Sequence, residues 1–360
     1  MVDHYLLLDK LYSIGLSQNA LLWFSAYLHN RRQCVVFHGS QSDYLIVDKG
    51  VPQGSILGPL LFSIFINDLP QICSQCSVHL YADDTVIYVC NSDLLQIQNS
   101  LQSEFNLVQN WLYDNKLILN KKKSCCMLFG MQHGSPNLRD LHIYFDDGSP
   151  LEKVDSFKYL GLWVDSEFSF KPHVDYIIKK TYGCLSSLYR AINCFTFHIR
   201  KRLVSQLILP IIGYADIVYM NTSEIHLRPL NVVFNSLCRF VLRCPYRTHH
   251  CFMFESINWL QPKSRRQYHW VQFIFKCIYL DCPPYLKQFF VLFKSSYSLR
   301  HMQYPFFFVP RISKEVGRRS FNYKAPSDWN NLPFSLKKLT SLHCFRKCLF
   351  SYLKTTCLCF

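Results

Sequence analysis

Residues 78–89 read VHLYADDTVIYV and place two adjacent aspartates, Asp83 and Asp84, inside a run of apolar, β-branched and aromatic residues. That composition on both sides of a polar pair predicts two short strands folded tightly on each other, buried, with the aspartates at the turn. Neighbouring carboxylates repel, and in a half-buried hairpin they are also desolvated, so a cation is expected beside them. Mg2+ suits the pair because it takes hard oxygen ligands, one or two carboxylates at a time, and keeps positions free for phosphates. Successive strand side chains point to opposite faces, but at a turn both can lean towards one ion. The competing reading is an ordinary solvated Asp-Asp turn.

A second pair serves as a control. HIYFDDGSPL, residues 142–151, also has an aromatic residue followed by a spacer and two aspartates, but Asp146 and Asp147 run straight into Gly-Ser-Pro. That is turn chemistry on a solvated loop. After Asp84 the apolar β pattern resumes at once, so function is assigned to the first pair and a turn to the second.

Ahead of the hairpin, VPQGS (51–55) breaks the chain, and ILGPLLFSIFINDLP (56–70) has the length and apolar density of a buried helix. Two helices are expected earlier, DHYLLLDKLYSI stopped by Gly15 and QNALLWFSAYLHN behind Ser17, then a strand pair, QCVVFHG and DYLIVDKG. After the hairpin, Leu94, Ile97, Leu101, Phe105, Val108 and Trp111 recur at helical spacing on one face. CCMLFG, LHIYFDDG and FKYLGLWVD follow as short strands. From residue 171 the periods are helical: HVDYIIKKTYGCLSSLYRAI, RKRLVSQLILPIIGYADIVYM, LNVVFNSLCRFVL and RRQYHWVQFIFKCIYL. Beyond about residue 295 the chain is rich in aromatics, proline and basic residues, and ordered loops with one last helix near SLHCFRKCLFSYL are expected. There is no heptad run and no repeat.

The charge changes sign along the same line. Residues 1–170 hold 11 basic and 17 acidic residues, and residues 171–360 hold 28 and 7, or −6 against +21. An acidic part suits metal cations and a basic part suits a polyanion, of which nucleic acid is the commonest. The 360 residues suit two or three units: 1–170, 171–295 and 296–360.

Seventeen cysteines, an odd number in a long chain without an apolar leader, read as reduced thiols in an intracellular protein, nuclear or cytoplasmic and not secreted. Cys73 and Cys76 form one CxxC, and neither CPYRTHHC nor the Cys-rich tail has zinc-binding spacing. Residues 50–67 are uncharged but contain two prolines and three glycines, so no membrane-spanning helix is expected.

Four blocks in order, GVPQGSILGPLLFSIFINDLP, YADDTVIYV, WLYDNKLILNKKKSCCMLF and FKYLGLWVDSEFSFKPHV, resemble the palm and thumb of reverse transcriptases from non-LTR, LINE-type retrotransposons of the jockey-like kind. SRRQYHWVQF, PPYL and GRRSFNYKAPSDWNNLP are similar to the region after the thumb in such elements. The resemblance implies an α+β fold: a partial polymerase palm (antiparallel sheet with helices) followed by a mostly helical thumb and C-terminal region. It implies RNA template, DNA primer, deoxynucleoside triphosphates and Mg2+, and no protein partner is expected. Asp83 would be a ligand of a two-metal site and Asp84 a secondary ligand or structural carboxylate. Gln53 and Gly54 would line the nucleotide and template pocket, where glycine permits close backbone approach. Lys123 matches a lysine that protonates the leaving group, or is a solvated loop lysine. Tyr81 and Ala82 would shape the floor under the primer end, or simply pack the hairpin.

Such a site needs a third, bridging carboxylate, which this family carries in a pattern similar to F-D-x-V-D-H. The sequence opens MVDH, so Met1 stands just after that ligand position, and Asp3 matches the pattern's second aspartate. Three residues of displacement carry Asp3 many ångströms from the ion pair. Fingers and endonuclease segments are also unmatched. The expectation is a reverse transcriptase fragment without polymerase activity by itself; the alternatives are a non-catalytic nucleic-acid-binding remnant and a non-functional pseudogene product.

Overall fold

The computed structural model describes residues 2–130, 141–293 and 305–355, and the chain divides into two compact units, Met1–Asp155 and Ser156–Phe360. The division falls ahead of residue 170, where the charge changes sign, and the boundary expected near residue 295 lies outside the described residues.

In the first unit Asp3 caps α1 (His4–Ser13), its Oδ1 accepting from the N–H groups of Tyr5 and Leu6, and Ser17 caps α2 (Gln18–Leu28). A short ladder region follows: β1 (Arg31–Gln33), β2 (Val36–Phe37), β3 (Ser40–Gln41) and β4 (Leu45–Val47), with β1 on β4 and β2 on β3. Next come α3 (Leu57–Ile66), β5 (Ser77–Tyr81), β6 (Asp84–Tyr88), α4 (Leu94–Asp114), β7 (Cys125–Cys126) and β8 (Glu152–Lys153). Leu7 and Leu11 of α1, Leu28, Leu61, Phe65, Val108 and Trp111 form one core, onto which Leu80 and Ile87 of the hairpin pack. Lys10 ties that core together: its Nζ donates to the Phe65 carbonyl at 2.7 Å, pairs with Asp68 at 2.7 Å, and sits over the rings of Phe65 and Trp111. A cation at the C-terminal end of α3 also suits the helix dipole.

Three expectations are corrected here. The helix α3 is buried on one face only, with Gly58, Leu61, Phe65 and Ile66 inside and Leu60 exposed. Strands pair as separate two-stranded ladders rather than one antiparallel sheet, and β7–β8 is parallel. Residues 141–148 form no strand among the described residues, only a bridge from Tyr144 to Pro150. Their alternation is real, since Leu141, Ile143 and Phe145 are buried. The backbone, however, bonds to glutamines of α4. His142 N–H donates to Gln98 Oε1 at 3.2 Å, Tyr144 N–H to Gln102 Oε1 at 2.7 Å, and Asp146 N–H to Gln109 Oε1 at 2.9 Å. A glutamine stripe on a helix satisfies groups that a neighbouring strand normally would.

The second unit opens on a hairpin, β9 (Ser156–Tyr159) and β10 (Leu162–Asp165), and is mainly helical among the described residues, with one bridge from Leu292 to Phe307. Its helices are α5 (Lys171–Tyr189), α6 (Phe197–Leu203), α7 (Leu209–Gly213), α8 (Asp216–Tyr219), α9 (Glu224–Leu242), α10 (His250–Ile257), α11 (Pro262–Tyr279), α12 (Pro284–Lys287), α13 (Glu315–Arg318), α14 (Phe321–Asn330), α15 (Phe334–Lys337) and α16 (Leu342–Thr355). The single apolar period over 200–220 resolves into α6, a π turn at Val204–Ile208, α7 and α8. Pro210 lacks an N–H, and Ala215 adopts a φ of +54°. The loops expected after residue 305 contain α13, α14 and α15, because Ala325, Trp329 and Leu336 are buried in one core with Phe275 and Phe345. Burial there outweighs the weak local propensity.

Among the described residues fourteen cysteines are free thiols and Cys251 is disulfide-bonded, so the reading of reduced thiols fails at that position. Pairing is a property of the folded chain that spacing does not reveal. Cys357 and Cys359 lie outside the described residues.

Candidate metal-binding site

The hairpin β5–β6 pairs Tyr81 with Asp84, which leaves Ala82 and Asp83 as a two-residue turn. Ala82 takes the positive φ such a turn requires, +51°. Directly opposed residues share a face, so Asp84 lies with Tyr81, His79 and Tyr88 on the side away from Leu80 and Ile87. His79 and Tyr88 stack there, with ring centroids 5.3 Å apart. Tyr81 is 63 % exposed, and Asp83 and Asp84 are both exposed. The expected half-buried pair is therefore corrected to a solvated one, because only one face of the hairpin meets the core.

The two aspartate pairs still differ, and the difference is in their partners. Asp146 and Asp147 both pair with Lys121, at 3.1 and 2.6 Å, and Asp147 Oδ1 accepts the Ser149 N–H at 3.0 Å. Lys121, and after it Ser149, hold the Asp147 carboxyl far below the usual carboxylate range. Among the described residues, neither Asp83 nor Asp84 has a side-chain hydrogen bond or an ion pair. One pair is satisfied within the chain; the other is open.

The loop entering β5 is clamped by a residue the sequence reading did not single out. Glu104 of α4 is 1 % exposed, and its carboxylate accepts the N–H groups of Ser74 and Gln75 at 3.1 and 3.0 Å. Burial pushes its pKa up, but hydrogen bonds from Gln75, Cys73 and Ser74 outweigh that and hold it below the ordinary value. A signal existed: Glu104 lies in the apolar stripe between Leu101 and Val108, where a lone carboxylate needs donors. Burial, with Glu104 beside it, pushes the Cys73 thiol up to about 12, so this CxxC holds an inert thiol. Glu104→Ala should cost about 2–3 kcal/mol in urea unfolding, since two buried N–H donors lose a charged acceptor. With the folded pKa depressed, the wild type keeps this stabilisation above pH 4.5 and loses it as pH falls through the lowered value, while the variant lacks that acid limb.

The PQGS turn is also built from its own residues. Ser55 Oγ donates to the Pro52 carbonyl at 2.8 Å and accepts the Gly58 N–H at 2.9 Å. Gly54 takes a φ of +81°. A Cβ on Gly58 would stand 2.7 Å from the Pro52 carbonyl oxygen. Gly58→Ala should therefore destabilise the first unit by about 1–3 kcal/mol in thermal melts, although alanine is the better helix former. Gln53 and Gly54 are exposed at this turn, and its flanking Val51 and Leu57 pack in the same core as Leu80 and Ile87.

Tyr81, Ala82, Asp83 and Asp84 thus sit together, and Gln53 and Gly54 rest on the same core. Lys123 lies in the exposed turn after α4, its N–H bonded to the Asn120 carbonyl at 3.0 Å, and among the described residues no hydrogen bond or ion pair joins it to the hairpin.

The open pair fits a hard cation in donor type but not in number. Among the described residues no His, Cys, Asp or Glu joins Asp83 and Asp84 in a group of three ligands. Asp3 is occupied elsewhere: it is 7 % exposed, caps α1 and accepts Lys116 Nζ at 2.8 Å. Lys116 holds its carboxyl below the ordinary value against the opposing effect of burial. Among the described residues one trio, His249, His250 and Cys251, has ligand atoms within 4.8 Å of one another, but its sulfur is disulfide-bonded and no thiolate ligand.

Residues 1–164 match the family described as reverse transcriptase (RNA-dependent DNA polymerase), and the chain is similar to the RNA-directed DNA polymerases of LINE-type elements. It is 25 % identical over 246 residues to a probable RNA-directed DNA polymerase from transposon BS of Drosophila melanogaster, an alignment covering 65 % of this chain and 26 % of that protein. It is 24 % identical over 241 residues to the RNA-directed DNA polymerase from mobile element jockey of Drosophila funebris, covering 64 % and 26 %. The chain spans about a quarter of the length of these relatives. The resemblance carried by the four sequence blocks is borne out, as is the α+β class. Reverse transcriptases generally use divalent metal ions. No helix among the described residues is long and apolar enough to cross a membrane.

Proposed function

We propose that the first part of the chain, residues 1–170, is a partial polymerase palm of the RNA-directed DNA polymerase kind, without polymerase activity by itself, with residues 171–295 as a thumb and 296–360 as a C-terminal region. Asp83 and Asp84 would be two of the ligands of a divalent cation such as Mg2+, which would supply charge stabilisation to phosphoryl transfer once a further ligand completed the site. The observation that carries this is the contrast between the two aspartate pairs: Lys121 neutralises one, and the other is exposed, adjacent and unpartnered. Tyr81, on the same face as Asp84, offers a flat apolar floor to a primer end, and Ala82 keeps that turn narrow. Gln53 and Gly54 present a side-chain amide and open backbone to the nucleotide and template, and Lys123 is proposed as proton donor to pyrophosphate. The partners are RNA template, DNA primer and deoxynucleoside triphosphates, inside the cell.

A second reading is favoured by a separate observation. Asp83 and Asp84 gather no third ligand among the described residues, and Asp3 is committed to α1 and Lys116. The 360 residues by themselves then bind nucleic acid, through the part that holds 28 basic and 7 acidic residues, without extending it. Primer extension on an RNA template tests both: salt-sensitive binding without product is expected of the chain by itself, and product that vanishes in Asp83→Ala would overturn its inactivity and leave the palm complete.

A further inference from the structure

The motif GRRSFNYKAPSDWNN, residues 317–331, builds a groove in the second unit. Val309–Ser313, with Arg318 and Tyr323, line an open cleft of about 570 Å³. Gly317 lets the two walls meet, since a Cβ there would lie 2.5 Å from Ile312 Cγ2. Arg318 Nε donates to the Ile312 carbonyl at 3.0 Å and fixes the loop. Upstream, Asn330 exchanges two hydrogen bonds with the Phe307 backbone, at 3.0 and 2.7 Å, and Trp329 Nε1 donates to the Pro305 carbonyl at 3.0 Å. These contacts explain the shape of the groove.

They leave its chemistry unused. Arg311 is exposed and has no hydrogen bond or ion pair among the described residues. The half-buried Tyr323 ring packs against no other ring there. The acid nearest in sequence, Glu315, is paired with Arg319 at 3.4 Å. Two guanidiniums and an aromatic ring lining one groove match a phosphodiester chain carrying bases, the arginines on phosphates and the ring under a base. A cleft of this size takes about one or two nucleotides.

We propose that this groove is a binding site for single-stranded nucleic acid, with Arg311 and Arg318 on the phosphates and Tyr323 stacked on a base. The proposal rests on the reading of the chain as nucleic-acid-binding and locates one contact within its basic part.

The test is fluorescence anisotropy of a labelled ten-nucleotide oligo(U), and of an abasic strand of equal charge, with the full 360-residue chain across a NaCl series. Arg311→Ala removes an exposed group without a hydrogen bond or ion pair among the described residues, so folding is preserved, and the log–log salt slope should fall by about 0.7. Tyr323→Ala should weaken oligo(U) about 5-fold or more and bring it to the abasic value, whereas Tyr323→Phe, which keeps the ring, should bind as wild type. Wild-type binding that neither Arg311→Ala nor Tyr323→Ala changes would overturn the groove and leave the wider reading intact. No binding by the wild type would overturn both. Competition by inorganic polyphosphate equal to that by oligo(U) would also count against the proposal, since it would remove any role for a base.

Discussion

Primer extension by the 360-residue chain, with Mg2+ and an RNA template, should yield no product above background, a shortfall of about a thousandfold or more against a complete two-metal site. The magnitude follows from the ligand count. Two-metal catalysis supplies several kcal/mol of transition-state stabilisation, and each ~1.4 kcal/mol is tenfold in rate. Asp83 and Asp84 gather no third ligand among the described residues. The nearest substitute suggested by sequence, Asp3, has Oδ1 accepting two helix N–H groups and Oδ2 accepting Lys116. Freeing it would uncap α1 and leave its carboxylate buried without a partner, at a cost of at least about 1–2 kcal/mol before any ion is bound. Templated product that depends on Mg2+ and disappears in Asp83→Ala would show that the ligand set is complete.

Binding of single-stranded RNA should be tight at low salt and weaken by about 10³-fold or more between 50 and 200 mM NaCl, the loss expected when six or more phosphates are neutralised. The source is the 28 basic and 7 acidic residues after position 170. Basic residues outnumber acidic ones four to one over that stretch, so counter-ions are available for exchange with phosphates. Filter binding over that salt range reads the slope directly. Binding indifferent to salt would mean that the charge asymmetry is a solubility feature.

The sequence made the hairpin legible because two β-branched runs meet at a polar pair; the register, with Tyr81 opposing Asp84 and only Ala82 and Asp83 in the turn, came from the fold. Its exposure was hidden, since period and composition cannot say whether the second face of a two-stranded ladder is covered. The second aspartate pair was read as a turn from Gly148-Ser149-Pro150, but its cation, Lys121, lies 25 residues earlier and became visible only in the fold. The same holds for the glutamines of α4, which look like solvated positions and instead carry the backbone of residues 142–146. Glu104 was detectable as a charge within an apolar stripe, though not its acceptor role beneath Ser74 and Gln75. Ahead of the last helix, which was expected, aromatics and prolines suggested loops, and burial of Trp329 and Leu336 made helices of them. Lys123 shows the limit of motif matching, because a position in a pattern sets no contact with the hairpin.

Cleavage by bound iron decides whether the open pair is a metal site. Fe2+ with ascorbate and peroxide replaces Mg2+ at hard oxygen ligands and cuts the backbone beside the ion, independently of any polymerase activity. Cuts are expected within residues 81–85, suppressed by millimolar Mg2+ and lost in Asp83→Ala/Asp84→Ala, with none at Asp146 and Asp147, which Lys121 already occupies. Cuts at Asp146–Asp147 alone, or none at the hairpin, would mean that Asp83 and Asp84 are a solvated turn.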